Sequence, residues 1–276
     1  MTALTETAYA KINLALHVRS RRADGYHELE TLFAFADDGD ELRVEAADQD
    51  SLAIVGPFAA GLDSGPDNLV LKALQFAREF GSTVPPLAIT LNKHLPIAAG
   101  VGGGSADAAA MLRLIHQNWP FLRSIDELAI ASVELGADVP ACVASETVFG
   151  SGIGEKLSPR SDLGVATLSV LLINPGVACP TGPVFAAWDC IDRGPLDPGD
   201  WVTARNDLEM PAIRLVPQIE TVLQSLKQQP GVRLARMSGS GATCFGLFDN
   251  LMQRDAACAM IAATYSEWWT MAALLR

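Results

Sequence analysis

The chain has 276 residues, 49% of them hydrophobic, and its 20 Lys+Arg against 32 Asp+Glu give a formal net charge of −12. So apolar a chain is not intrinsically disordered, and its length allows two packed domains or one large one. The acidic balance, with no basic run longer than the pair Arg21–Arg22, argues against nucleic acid or an anionic membrane as partner.

The longest apolar stretches, such as Val165 to Ile173, fall far short of the roughly 18–20 residues that span a bilayer. Met1 to Ala10 carries Glu6 and no basic run, so a secretory signal is not expected either. The expected location is cytoplasmic. Five scattered cysteines without CxxC spacing are expected to be reduced and mostly buried, and the four histidines form no zinc-ligand spacing. Lysine is scarce, at five residues (Lys11, Lys72, Lys93, Lys156, Lys227).

In chain order, Tyr9 to Val18 reads as a strand that leads into a loop of charged and turn-forming residues, Arg19 to Gly25. Leu29 to Ala36, Glu41 to Ala46 and Ser51 to Val55 read as short strands separated by Asp/Gly turns, together an antiparallel sheet. From Asn68 to Phe80 the apolar spacing becomes helical, with Asp67 as N-cap and Gly81 as stop. Leu87 to Leu91 predicts a strand, followed by a glycine-rich turn and a helix from about Ser105 to Gln117. A second helix, Ile125 to Leu135, ends at Gly136.

Three glycines in five residues, Gly150 to Gly154, predict a flexible stretch and a domain boundary, giving domains 1–153 and 154–276. In the second half, Leu168 to Ile173 reads as a buried strand. Helices follow near Ile213 to Lys227 and Gln253 to Tyr265, with strands at Leu234 to Met237 and Cys244 to Phe248. Trp268 and Trp269 read as an apolar plug. The class is α+β in two domains.

The most informative segment is Leu95-Pro-Ile-Ala-Ala-Gly-Val-Gly102-Gly103-Gly104-Ser105, followed by an alanine-rich helix. Glycines let the backbone turn its N–H groups toward a ligand, and the helix points its positive end at the same spot. A helix N-terminus alone adds only about 0.3–2 kcal/mol for an anion, so several aligned N–H groups must carry the binding. The combination suits a polyphosphate. It is not a Walker A loop, since no Gly-Lys-Ser/Thr follows, and Ser105 breaks the GxGxxG pattern. The alternative is a tight strand-to-helix turn with no ligand.

Three other features bear on that choice. Lys11 lies within the apolar strand Ala8-Tyr-Ala-Lys11-Ile-Asn13, where a cation is either paired or functional. Asp138, in Leu135-Gly-Ala-Asp138-Val-Pro140, sits where a carboxylate serves as ion-pair partner, cap or base. Met237-Ser-Gly239-Ser-Gly241-Ala-Thr-Cys-Phe places a second glycine-rich turn between two apolar strands, which an ordinary hairpin would also explain.

Together these segments resemble the small-molecule kinase superfamily of galactokinase, homoserine kinase, mevalonate kinase and phosphomevalonate kinase. Its three signature regions match the Lys11 strand, the Gly/Ser-rich loop and the C-terminal Gly-x-Gly-Ala turn. Arg22-Ala-Asp-Gly-Tyr-His27 and Leu135-Gly-Ala-Asp-Val-Pro140 are the specific strings. They resemble the branch whose members phosphorylate a cytidyl-linked methylerythritol, and the likeness runs from about residue 8 to 248. Tyr9 stands where a proline is usual, Ala99 where a further glycine is common, and Asp107 where Asn is frequent. That Asp107 puts a negative charge beside the phosphate loop, so it is expected to face away or to approach a metal.

The resemblance implies a two-domain small-molecule kinase fold: an N-terminal α+β domain, a C-terminal ferredoxin-like α/β sandwich, and the active site between them. It implies ATP-dependent phosphorylation, with Mg2+, of a hydroxyl on the methylerythritol end of a cytidine diphosphate conjugate, a step of non-mevalonate isoprenoid synthesis. Asp138 would be the general base, and Lys11 would hold it ionised. Gly100, Gly102, Gly103, Gly104 and Ser105 would cradle the ATP phosphates, with Asn68 and Lys93 near adenine and ribose and Pro96 also on the ATP side. Tyr26 and Phe185 would stack on cytosine and His27 would read its edge. Asn13, Thr181, Gly239 and Gly241 complete the substrate side. Asn206 is expected to cap the following helix or tie down the nearby glycine turn.

The implied partners are ATP and the cytidyl substrate, with no nucleic acid and no membrane. Two alternatives stay open: a kinase of the same superfamily acting on homoserine, mevalonate or a sugar, and a non-catalytic ATP-binding sensor. The first would be indifferent to Tyr26 and His27. The second would not need both Lys11 and Asp138.

Overall fold

Two long strands open the chain, β1 (Leu4–Arg21) and β2 (His27–Ala46), paired with each other. The structure, a computed structural model, describes residues 3–276. Asp37-Asp38-Gly39-Asp40, expected to turn the chain between two short strands, lies inside β2. Gly39 serves close approach here, because a Cβ on it would stand 1.9 Å from the Ala8 carbonyl oxygen. Asp40 is fully buried.

Two compact units form. One takes the chain up to Ala10, Asp38–Ile97 and Gly102–Ser145; the other takes Lys11–Asp37, Ala98–Val101 and Glu146–Arg276. Where the sequence suggests one crossing near residue 153, the chain enters each unit more than once, because β1 and β2 each contribute residues to both.

In the first unit, β3 (Ser51–Val55) runs parallel to β4 (Leu87–Asn92), and β4 pairs antiparallel with Glu41–Ala46 of β2. The sheet is therefore mixed, not purely antiparallel. Its parallel pair is joined through α1 (Leu69–Glu79), the long crossover that parallel neighbours require. This helix buries Val70, Ala73, Leu74 and Ala77 at amphipathic spacing. Its N-cap is Asn68, whose Oδ1 accepts the Val70 N–H at 2.9 Å; Asp67 instead pairs with Lys72.

The next helix, α2 (Gly103–Asn118), starts on the glycines, buries every residue from Ala106 to Ile115, and packs on α1. The long helix expected over Ile125 to Leu135 is α3 (Ile125–Ala131) followed by a 3-10 turn at Ser132–Leu135. The Ser132 hydroxyl donates back to the Ala129 carbonyl at 2.7 Å, a bond that competes with helix continuation. A short helix not foreseen, α4 (Val139–Ala144), also packs on α2.

The second unit holds a hairpin of β5 (Val148–Gly152) and β6 (Lys156–Pro159), with β5 antiparallel to Leu29–Phe33 of β2. Gly150 to Gly154 is thus strand and turn rather than a flexible stretch. A Cβ on Gly150 would meet the Phe33 ring at 2.9 Å and the Gly154 carbonyl oxygen at 3.0 Å.

After β7 (Ser169–Asn174) come α5 (Thr181–Ala186), α6 (Glu209–Leu215) and α7 (Gln218–Lys227). Pro217 divides the single helix expected over Ile213 to Lys227. The chain ends with β8 (Val232–Met237), β9 (Cys244–Phe248), α8 (Leu251–Thr264) and β10 (Trp269–Leu274). These four strands form an antiparallel sheet in the order β10-β7-β9-β8, the ferredoxin-like order.

Its core joins Leu171, Ile173 and Phe248 to Ile219, Val222, Leu226 and Ile261. Trp269 opens an edge strand rather than a plug, and Trp268 stacks on Tyr265 at 3.8 Å between ring centroids. The five cysteines are free; Cys142, Cys179 and Cys244 are buried and Cys190 is exposed. Among the described residues no helix is long and apolar enough to cross a membrane.

Candidate active site

The first unit supplies the start of α2. Gly102 adopts φ 66°, a left-handed turn that glycine takes without strain, and its carbonyl accepts the Ala106 N–H at 2.8 Å. No side chain caps α2. The first-turn N–H groups of Gly103, Gly104 and Ser105 have no partner within a helix by construction, so the end is suited to an anion.

Lys93 lies behind this turn, its Nζ 3.4 Å from where a Cβ on Gly103 would stand. It is buried, and donates to Asp40 Oδ2 at 2.5 Å and to Asp107 Oδ2 at 2.7 Å. Asp40 Oδ1 in turn accepts the N–H groups of His94 at 2.6 Å and Leu95 at 2.8 Å. The network ties the end of β4 to the first turns of α2. Lys93, expected near the nucleotide, is engaged by these two carboxylates, and Asp107 faces inward to Lys93. Burial opposes the Lys93 charge, but the fields of Asp107 and Asp40 outweigh it and hold its pKa above the usual value. Burial pushes Asp107 up to about 7 against the pull of Lys93, and its Oδ1 is buried without a partner.

Asn68 caps α1 through Oδ1 and donates from Nδ2 to the Asp63 carbonyl at 2.7 Å. Pro96 is buried in the approach to the glycines. Asp138 stands at the N-cap position of α4, yet its side chain makes no capping bond. That removes one of the three roles open to it, the cap.

The second unit gathers Lys11, Asn13, Gly100, Gly239 and Gly241. Lys11 is buried, donates to Asn13 Oδ1 at 3.0 Å, and lies 5.1 Å from the Phe33 ring centroid. Asn13 donates from Nδ2 to Thr31 Oγ1 at 2.7 Å and from its backbone N–H to Ser238 Oγ at 3.1 Å. Ser238 Oγ donates to the Gly100 carbonyl at 2.8 Å. Gly100, at φ 76°, is locked against this turn, since a Cβ would stand 2.4 Å from the Ser238 carbonyl oxygen. Asn206 ties down the glycine turn, one of the two things expected of it, but does not cap α6, whose N-cap position is Leu208 with no side-chain cap bond. Its Nδ2 donates to the carbonyls of Met237 and Gly239, each at 2.8 Å, and its Oδ1 accepts the Leu208 N–H ahead of α6 at 2.9 Å.

His27 is buried, with its ring 4.9 Å from that of Phe185 and in edge contact with Trp188 at 5.8 Å. Burial, then the charge of Arg21, holds its pKa below the usual histidine value, so the ring is neutral at pH 7. Tyr26 is 59% exposed at the tip of the β1–β2 loop. Thr181 opens α5, with its hydroxyl 3.0 Å from that of Ser240.

The expected site residues thus fall into two groups. Asn68, Lys93, Pro96, Gly102, Gly103, Gly104, Ser105 and Asp138 belong to the first unit, and the other nine to the second. Sequence reasoning missed Asp40, Thr31, Ser238 and Trp188. Asp40 was hidden by its turn-like neighbours; a lone Thr, Ser or Trp carries no spacing signal of its own.

Residues 68–146 match the family described as GHMP kinases N terminal domain, and residues 191–267 match GHMP kinases C terminal. A 4-diphosphocytidyl-2-C-methyl-D-erythritol kinase of Sphingopyxis alaskensis is 54% identical over 99% of both chains. One of Rhizorhabdus wittichii is 51% identical over 99% of this chain and 94% of its own. A solved 4-(cytidine 5'-diphospho)-2C-methyl-D-erythritol kinase superposes with a TM-score of 0.83 at 33% identity, covering 99% of each chain. The homoserine kinase of Cytophaga hutchinsonii shares the fold, with a TM-score of 0.69 at 16% identity over 99% of this chain and 95% of its own. The chain belongs to the GHMP kinases, in the family of 4-diphosphocytidyl-2-C-methyl-D-erythritol kinases.

Proposed function

We propose that this protein transfers the γ-phosphoryl group of ATP to a hydroxyl on the methylerythritol moiety of 4-diphosphocytidyl-2-C-methyl-D-erythritol, in non-mevalonate isoprenoid synthesis. The observation that carries the choice of substrate is its full-length likeness to kinases of that compound. The uncapped start of α2 supports the phosphate half of the reaction.

Asp138 accepts the proton of the attacking hydroxyl, and Lys11 polarises that hydroxyl. The N–H groups of Gly102 to Ser105 hold the ATP phosphates, with Gly100 fixing the loop from its other end. Lys93 acts from behind the loop: from the end of β4 it holds α2 through Asp107 and β2 through Asp40. A neutral His27 offers one donor and one acceptor, which matches the mixed edge of cytosine, and Phe185 and Tyr26 supply apolar faces for the base.

Among the described residues no three His, Cys, Asp or Glu side chains are grouped to cage a metal ion. A Mg2+ carried on the ATP phosphates would need only one or two protein oxygens, such as the Ser105 hydroxyl in the first turn of α2. When bound, the ion neutralises phosphate charge.

The direct test is Asp138→Asn. Loss of a general base is expected to lower kcat by about 10²–10⁴-fold, with the melting temperature and ATP binding retained. Full turnover in this variant would remove Asp138 from the mechanism.

A further inference from the structure

The imidazole of His27 has no hydrogen-bond partner among the described residues, so packing decides where its two nitrogens point. The last torsion of a histidine side chain is broad and soft. Two rings confine it. Phe185 lies 4.9 Å away at an interplanar angle of 36°, and Trp188, two residues beyond the end of α5, lies 5.8 Å away at 84°. Rings at such different angles restrict the imidazole in two directions, where one ring would leave it free to slide.

The two walls differ in how firmly they are held. Phe185 is half-buried, and the proposed function gives its face to cytosine. Trp188 is 5% exposed and belongs to the core with Leu16, Val18, Val184 and Leu208. The chain that follows it is clasped to the first two strands. The Leu196 N–H donates to Glu30 Oε2 at 2.6 Å, and the Leu16 N–H donates to the Arg205 carbonyl at 2.9 Å. Filling space does not by itself account for an indole here, because its N–H is buried without an acceptor, a cost that an aliphatic side chain would avoid. What the indole adds is a rigid flat face against His27.

We propose that Trp188 is a positioning residue for the nucleotide half of the substrate: by fixing the His27 ring, it sets the preference for cytosine over uracil. The proposal rests on the reading of His27 given above. Cytosine presents an amine donor beside a ring-nitrogen acceptor, and uracil presents a carbonyl acceptor beside an N–H. An imidazole free to turn, with one donor and one acceptor, can satisfy either edge. One that is held cannot.

Titration calorimetry with CDP and UDP tests this on the full chain without phosphoryl transfer, a non-hydrolysable ATP analogue being present at saturation to occupy the ATP site. Trp188→Leu and Trp188→Met, two aliphatic replacements that keep apolar bulk without a flat face, are expected to lower the ratio of CDP to UDP affinity about tenfold, the order of one hydrogen bond. Affinity for the ATP analogue is expected to stay unchanged. Trp188→Phe, which keeps a ring, is expected to retain the parent ratio, and His27→Phe to lose it. A merely structural role would weaken CDP and UDP equally, and an unchanged ratio in the aliphatic variants overturns the proposal. If only His27→Phe loses the ratio, the role of Trp188 falls and the reading of His27 stands; if His27→Phe keeps it, both fall.

Discussion

A carboxylate beside a phosphate loop needs something to answer its charge, and Lys93 answers two at once. With a single ammonium between Asp40 and Asp107, the second negative charge is poorly compensated, and burial raises the Asp107 pKa from 3.8 to about 7. The folded state then holds a proton that the unfolded chain releases, so between those two values stability declines as pH rises. Asp107→Asn cannot ionise and leaves Lys93 in a one-to-one pair with Asp40. The melting temperature of this variant, relative to the parent protein, is expected to be higher at pH 8 than at pH 5. A difference that is flat or falls over that range would contradict the titration of Asp107. At this scale the sequence marked Asp107 as a departure and Lys93 as a scarce cation. It could not show that they meet, because the third member, Asp40, lies 53 residues from Lys93 in what reads as a turn.

Elements were legible where periodicity alone decides them, as in α1, α8, β4 and β9. They were misread where a glycine or proline acts by contact rather than by turning the chain. Gly39 and Gly150 both look like breaks, yet both lie within strands because a neighbouring group leaves no room for a Cβ. Pro217 looks tolerable inside a helical pattern but divides it in two. The edge strand β10 was missed because it begins at the second of two adjacent tryptophans, whose pairing reads as an apolar plug.

Gly39→Ala tests the contact explanation. Its Cβ would overlap the Ala8 carbonyl, and forcing β1 and β2 apart is expected to cost about 3 kcal/mol or more in urea unfolding. Gly182→Ala, where a Cβ meets nothing within 4 Å, is the control and is expected to be neutral. Equal stability of the two variants would mean that Gly39 is not set by its contact with Ala8.

Across the whole molecule, a net charge of −12 is compatible with a polyphosphate substrate because the binding groups are local. In the proposed reading they are the backbone N–H groups at the uncapped start of α2 and Lys11, in the strand that contacts the second glycine turn, while Lys93 is engaged by Asp40 and Asp107. Net charge argues about large partners such as nucleic acid, and says little about one small ligand. The fold class and the family were legible because the loop, the Lys11 strand and the C-terminal turn occur jointly. How the compact units divide was not, since two strands contribute to both and composition does not mark that crossing.

The central claim is the identity of the acceptor. Purified protein given ATP, Mg2+ and, in parallel, 4-diphosphocytidyl-2-C-methyl-D-erythritol, homoserine, mevalonate and galactose is assayed for ADP release. ADP is expected to appear with the cytidyl compound alone, in proportion to the phosphomonoester formed. Release with homoserine, mevalonate or galactose and none with the cytidyl compound would contradict the account.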